Sequence, residues 1–249
     1  MKYTVESDIG LKRSINEDRA AFFRREDGVQ LALVADGMGG HNAGDVASTM
    51  ATVEARKLFY EAHAEHFETP STKKAWLLQT VRKLNQALYQ HAKENPDCSG
   101  MGTTLILVLV NESRCLIAHV GDSRVYHFSA GTGEQITKDH SYVNALIDSG
   151  EISEEEAVHH PTKNVILRAL GTDPSVEPDI YSMTLTPTSF VLVCSDGLSN
   201  KLSIKEMATI IYDRQTTLQE KGQQLVKRAN DGGGEDNISL VLLMKEGES

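Results

Sequence analysis

Six acidic residues stand where apolar runs of strand length begin or end. Asp36 closes LALVA, Asp122 follows CLIAHVG and Asp196 follows FVLVCS, while Asp236 comes just before ISLVLL and Glu17-Asp18 just before AAFF. Carboxylates brought together repel one another and lose hydration, and a bound cation relieves both. No His/Cys spacing suggests zinc, so an all-oxygen set points to hard ions, two Mg²⁺ or Mn²⁺. The competing reading is that these aspartates only shape turns, where their side chains bond nearby amides.

The stretch 31–41, LALVADGMGGH, bears on that choice. Gly37, Gly39 and Gly40 free the backbone next to Asp36, so main-chain carbonyls and a charge can reach one small target. Alternatively this is the first turn of a helix, with Asp36 bonding its amides. Recurrence favours convergence. Asp36, Asp122 and Asp196 end strands and Asp236 enters from the opposite direction, as one end of an antiparallel stack would require.

The elements that must position these groups follow from the apolar pattern. Residues 3–9 and 20–23 read as strands, and Asp27-Gly28 is a hairpin signal leading into 31–35. From Ala43, the positions Val46, Ala47, Met50, Ala51 and Leu58 keep helical spacing, and a second helix is expected over 71–92, with Thr69-Pro70 as its break and cap. The runs 105–110 and 115–120 are joined too tightly for a parallel crossover, so they pair antiparallel. The run 125–128 continues the meander, 190–194 and 238–244 add strands, and 204–212 and 218–229 are helical. Strands apolar on both faces need cover on both. The expected fold is therefore α+β, a four-layer α-β-β-α sandwich of two stacked antiparallel sheets flanked by helices. Residues 140–178 interrupt the strands with short polar helices and read as a flap inserted in a single domain spanning 1–249.

Composition narrows the function classes. A formal net charge of −10 disfavours nucleic-acid and anionic-membrane partners, which need a basic face. The first residues, MKYTVESDIG, lack a signal-peptide core, and no apolar run has the length of a membrane span. Three cysteines make no disulfide framework, which suits the cytoplasm.

Eight short motifs occur in order: R-x-x-N-E-D from Arg13, D-G-M-G-G-H from Asp36, G-T-T from Gly102, G-D-S-R from Gly121, D-H-S from Asp139, R-A-L-G from Arg168, S-D-G-L from Ser195 and E-D-N from Glu235. Together they resemble the type 2C, metal-dependent Ser/Thr protein phosphatases, in their compact bacterial branch. The resemblance spans residues 3–244 and implies the same layered fold and flap. It implies that Asp36 bridges two Mn²⁺ or Mg²⁺ ions with the Gly37 carbonyl beside it. Asp196 and Asp236 would complete one ion's shell, Glu17 and Asp18 would act mainly through its waters, and Asp122 with Asp196 would hold a weaker third ion. Asn237 would support the ligands from behind. Arg13 would fork onto two phosphate oxygens.

The chemistry so implied is hydrolysis of phosphoserine and phosphothreonine proteins by water made acidic between two cations, with no phosphoenzyme, reversing a cognate Ser/Thr protein kinase. Some eukaryotic relatives have a histidine after D-G as proton donor, but here Met38 stands there, leaving His41 or a water. For Arg13 the plainer reading is a surface arginine near Glu17, for Asp122 a turn residue paired with Arg124, for His41 a loop residue. Ser195 has no base arranged to make it a nucleophile. The rival functions are a two-metal hydrolase of small phosphate esters or phosphodiesters and an inactive regulatory module of the same fold.

Overall fold

The expected two-sided burial of the strands is what the computed structural model, which describes residues 1–40, 43–158 and 160–246, shows. Strands are numbered along the chain. One sheet has the order β1 (Lys2–Asp8), β11 (Ile238–Met244), β10 (Phe190–Cys194), β7 (Arg124–Ser129) and β8 (Thr132–Gln135). The other runs β2 (Asp18–Arg24), β3 (Gln30–Met38), β5 (Leu105–Asn111), β6 (Arg114–Val120) and β9 (Asp179–Thr184), with the short β4 (Gly102–Thr103) on the end of β3. Every pairing is antiparallel.

Successive side chains of a strand point to opposite faces, and here each face has its own core. Ala32, Val34, Ile106 and Val108 meet Val191, Val193, Val241 and Leu243 between the sheets. The alternate residues Leu31, Leu33, Leu105 and Leu107 pack outward against α1 (Ala43–Glu61) and α2 (Pro70–Glu94). Leu192, Cys194, Leu240 and Leu242 face outward on the other side, under α6 (Ile204–Ile211) and α7 (Leu218–Asp231). On α1 the buried stripe is Ala47, Ala51, Ala55 and Phe59, and its small residues let the helix lie close to β3. Thr69 caps α2 through a reciprocal bond pair with Thr72, the break expected there.

Four elements depart from the sequence reading. β3 runs past Ala35 to Met38, because Gly37 and Met38 find partners in Thr103 and Gly102. β8 and β9 carry no clean alternation; exposed TGEQ and half-buried DIYSMT become strands because a neighbour offers hydrogen bonds. A one-turn helix, α5 (Asp196–Ser199), begins at an aspartate read as a strand end. Residues 140–178 hold α3 (Tyr142–Ser149) and α4 (Glu154–Val158) and close on the sheet through Leu170, which exchanges backbone hydrogen bonds with Thr103. No described helix is long and apolar enough to cross a membrane.

Leu107 is fully buried on the helix-facing side. Leu107→Ala is expected to lower unfolding free energy by about 3 kcal/mol, seen as a lower urea midpoint at unchanged slope.

Candidate active site

Strand register does the first part of the assembly. Asp18 lies directly across from Asp36 in the β2–β3 ladder, and the Gly37 amide donates to the Glu17 carbonyl at 3.1 Å. The Asp36 backbone is held on its other side by the two threonines of G-T-T. Its amide donates to Thr104 Oγ1 at 3.0 Å, and its carbonyl accepts from the Thr104 amide at 2.8 Å and from Thr103 Oγ1 at 2.9 Å. Thr104 Oγ1 also meets Ser123 Oγ at 2.8 Å, which ties this strand end to the turn bearing Asp122. Glu17 reaches the start of α1, where its carboxylate accepts the Gly44 and Asp45 amides. A Cβ on Gly37 would stand 2.0 Å from the Gly44 carbonyl oxygen, so only glycine fits between this strand end and the helix.

The second part comes from the other sheet. Asp196 opens α5 at the end of β10, and Asp236 precedes β11 after the Gly233-Gly234 turn, where both glycines have positive φ. Arg13 Nη2 donates to Asp236 Oδ2 at 2.8 Å. Asn237 is buried and donates through Nδ2 to the Ile9 and Ile15 carbonyls at 2.8 and 3.0 Å, while its Oδ1 accepts the Glu17 amide at 2.8 Å. One side chain thus fastens the Arg13 loop and the start of β2 to β11.

The electrostatics follow from this crowding. Burial first, and then the charges of Asp18, Asp196, Asp122 and Asp236, push the Asp36 carboxyl well above its usual range. Burial, with Asp196 and Asp236 nearby, raises Asp18 to about 7 against the opposing hydrogen bond from Ser195. Burial and then Asp196 raise Asp122 to about 7, and burial and then Asp236 raise Asp196 to about 6. Asp122 Oδ1 is buried with no hydrogen-bond partner, because Arg124 turns instead to Asp139, bonding it through Nε at 2.9 Å and Nη2 at 2.7 Å. Arg124 is thus paired with Asp139 and not with Asp122. The donors are all oxygen and acidic, and Asp122 Oδ1 has no partner, which fits hard divalent cations. Among the described residues, no group of three or more His, Cys, Asp or Glu side chains is by itself arranged to hold a metal ion.

Asp18, Asp36, Asp122, Asp196 and Asp236 are thus within electrostatic reach of one another, with Arg13 and Asn237 on Asp236. Arg13 is about half exposed, with Asp236 as its ion-pair partner. His41 lies outside the described residues. Ser195 is fully buried and donates its hydroxyl to Asp18 Oδ2 at 2.6 Å, so it supports a carboxylate and cannot attack substrate. Sequence reasoning missed Gly10, whose φ is 81° and whose Cβ, if present, would lie 2.2 Å from the Asp236 carbonyl oxygen. Its only signal was a glycine just after a strand. Beside the carboxylates, a cleft of about 780 Å³ opens between β7, α5 and residues of 140–178, with Arg124, Val143, Ile147 and Asn200 among its walls.

A four-layer sandwich with an all-oxygen acidic mouth defines the class, and the comparisons give the family. Residues 12–229 match the protein phosphatase 2C model, and the chain belongs to that family. The serine/threonine phosphatase stp of Listeria monocytogenes is 40% identical over 250 residues, covering 99% of this chain and 96% of that protein. Protein phosphatase PhpP of Streptococcus pneumoniae is 33% identical over 243 residues, 98% of this chain and 97% of that one. Among solved structures, the S. agalactiae serine/threonine phosphatase superposes with a TM-score of 0.93 at 37% identity over 99% of both chains. Stp1 from Staphylococcus aureus gives 0.93 at 36%, over 99% of this chain and 95% of that one.

Because the folded protein keeps the Asp36 proton to higher pH than the unfolded chain does, ionising Asp36 costs stability as pH rises. In chelator, Asp36→Asn should melt above the wild type by a margin that widens between about pH 5 and pH 8. Millimolar Mn²⁺ should raise the wild-type melting temperature at pH 8 and leave that of the variant almost unmoved.

Proposed function

We propose that this chain is a metal-dependent phosphatase of phosphoserine and phosphothreonine proteins, acting as one catalytic domain with residues 140–178 as a flap over the cleft. The observation that carries the reading is the meeting of Asp18 and Asp36 from one sheet with Asp196 and Asp236 from the other, beside the guanidinium of Arg13. Family membership and relatives named as serine/threonine phosphatases support it.

In this reading Asp36 and the Gly37 carbonyl would hold two Mn²⁺ or Mg²⁺ ions together with Asp196 and Asp236, and Glu17 and Asp18 would act through water. Asp122, with its unpartnered oxygen, and Asp196 would take a weaker third ion. When bound, the ions would supply Lewis acidity that acidifies water and offsets charge on the phosphoryl oxygens. The chain's own residues do the rest. Asp236 and the Glu235 carbonyl, accepting from Arg13 Nη2 at 2.8 Å and Nε at 3.4 Å, aim a planar fork that can grip two phosphate oxygens. Ser195 holds Asp18, and Thr103 and Thr104 hold Asp36, so these carboxylates keep their places as charge develops. Water attacks directly, since the buried Ser195 hydroxyl is already committed to Asp18. Met38 cannot protonate the leaving alkoxide, so that proton comes from His41 or from water. The partner is a Ser/Thr protein kinase whose products are reversed, and the three free cysteines suit a reducing, cytoplasmic setting.

Mn²⁺-dependent release of phosphate from a phosphothreonine peptide, without turnover of a phosphodiester, tests the assignment. Asp196→Ala should lower kcat/KM at least about a hundredfold with near-wild-type circular dichroism. Arg13→Lys should lower kcat/KM about tenfold or more, since an ammonium cannot reproduce the fork. An Asp196→Ala enzyme with most of its turnover would show the site to be misassigned.

A further inference from the structure

The loop bearing Arg13 is pinned in place, yet it turns apolar side chains to solvent. Asn237 holds the Ile9 and Ile15 carbonyls, the Leu11 amide donates to the Gly234 carbonyl at 2.7 Å, and Gly10 presses on the Asp236 backbone. Leu11 is nevertheless 64% exposed, and Ile9 and Ile15 are each 39% exposed. Leu11 Cγ lies 2.7 Å from where a Cβ on Gly234 would stand, so this side chain leans on the turn leading to Asp236. Single exposed apolar residues are ordinary, but three on one fixed loop around an arginine at the site are not scattered.

We propose that Ile9, Leu11 and Ile15 form an apolar collar that docks the substrate polypeptide on either side of the phosphorylated residue, favouring phosphosites with aliphatic or aromatic neighbours. This rests on the phosphoprotein phosphatase reading above. The occupant is indicated by continuity with Arg13. A phosphothreonine side chain is short, and each residue of extended chain advances only about 3.3 Å, so a phosphoryl group on Arg13 keeps its flanking residues close to the loop that carries Ile9, Leu11 and Ile15. A net charge of −10 disfavours an anionic membrane as the alternative occupant.

The test uses phosphothreonine peptides of equal length and charge that carry Leu or Ser on both sides of the phosphoresidue, with p-nitrophenyl phosphate as a flank-free substrate. Wild-type enzyme in Mn²⁺ should favour the Leu-flanked peptide about tenfold in kcat/KM, chiefly through KM. Leu11→Ser and Ile15→Ser should each bring that ratio towards one, whereas Val53→Ser, at an exposed apolar position on α1, should keep it. Because the ratio is taken within one variant, partial unfolding or poor metal loading cancels.

A ratio near one in the wild type, or one unchanged in both collar variants, overturns the collar and leaves the phosphatase reading standing. Turnover of p-nitrophenyl phosphate with none of either peptide overturns both. A flat ratio together with a dimer in sedimentation that Leu11→Ser dissociates would make the loop a self-association surface, and the proposal would fall.

Discussion

Mutual repulsion among carboxylates is the constraint on which this molecule turns. Two unit charges about 4 Å apart interact by roughly 4 kcal/mol at an effective dielectric of 20, and a domain's whole stability is about 5–15 kcal/mol. A few such contacts left uncompensated would rival everything the core supplies. Asp18, Asp36, Asp122 and Asp196 are nevertheless buried together, and burial first, with mutual repulsion after it, makes each hold its proton to higher pH. The fold keeps an electrostatic debt that divalent cations, or protons, must settle.

Only a stiff scaffold can hold like charges in place. Here the stiffness comes from three cores in register, with one between the sheets and one under each helical layer. Each long strand contributes alternate side chains to two of these cores, so its end cannot shift without disturbing both. Around the mouth the supports are short and polar. Thr103, Thr104 and Ser123 fix the Asp36 strand end, Ser195 fixes Asp18, and Asn237 joins both sheets to the Arg13 loop. Glycine stands where backbones must touch, at Gly37 against Gly44 and at Gly10 against Asp236.

The pairing of Arg124 with Asp139 shows how one contact away from the centre shapes it. Had Arg124 turned to Asp122, the nearer residue in the chain, that carboxylate would be a satisfied turn residue. By gripping Asp139 instead, it roots residues 140–178 beside the cleft and leaves Asp122 Oδ1 open. A structural ion pair and a vacant acidic oxygen are thus two consequences of one choice of partner.

The chain by itself determined which residues carry charge at strand mouths and which faces of the strands must be buried. Asp36, Asp122, Asp196 and Asp236 were legible because an acid beside an apolar run is a local signal, and the layers were legible because two-sided apolar strands need two covers. β8, β9 and α5 were not legible, since their residues have weak local preference and take shape from neighbours. The pairing of Arg13 with Asp236, of Ser195 with Asp18 and of Gly10 with the Asp236 backbone belongs to tertiary structure alone. Each joins residues from opposite ends of the sequence or from different sheets, and no local pattern encodes a distance that only packing sets.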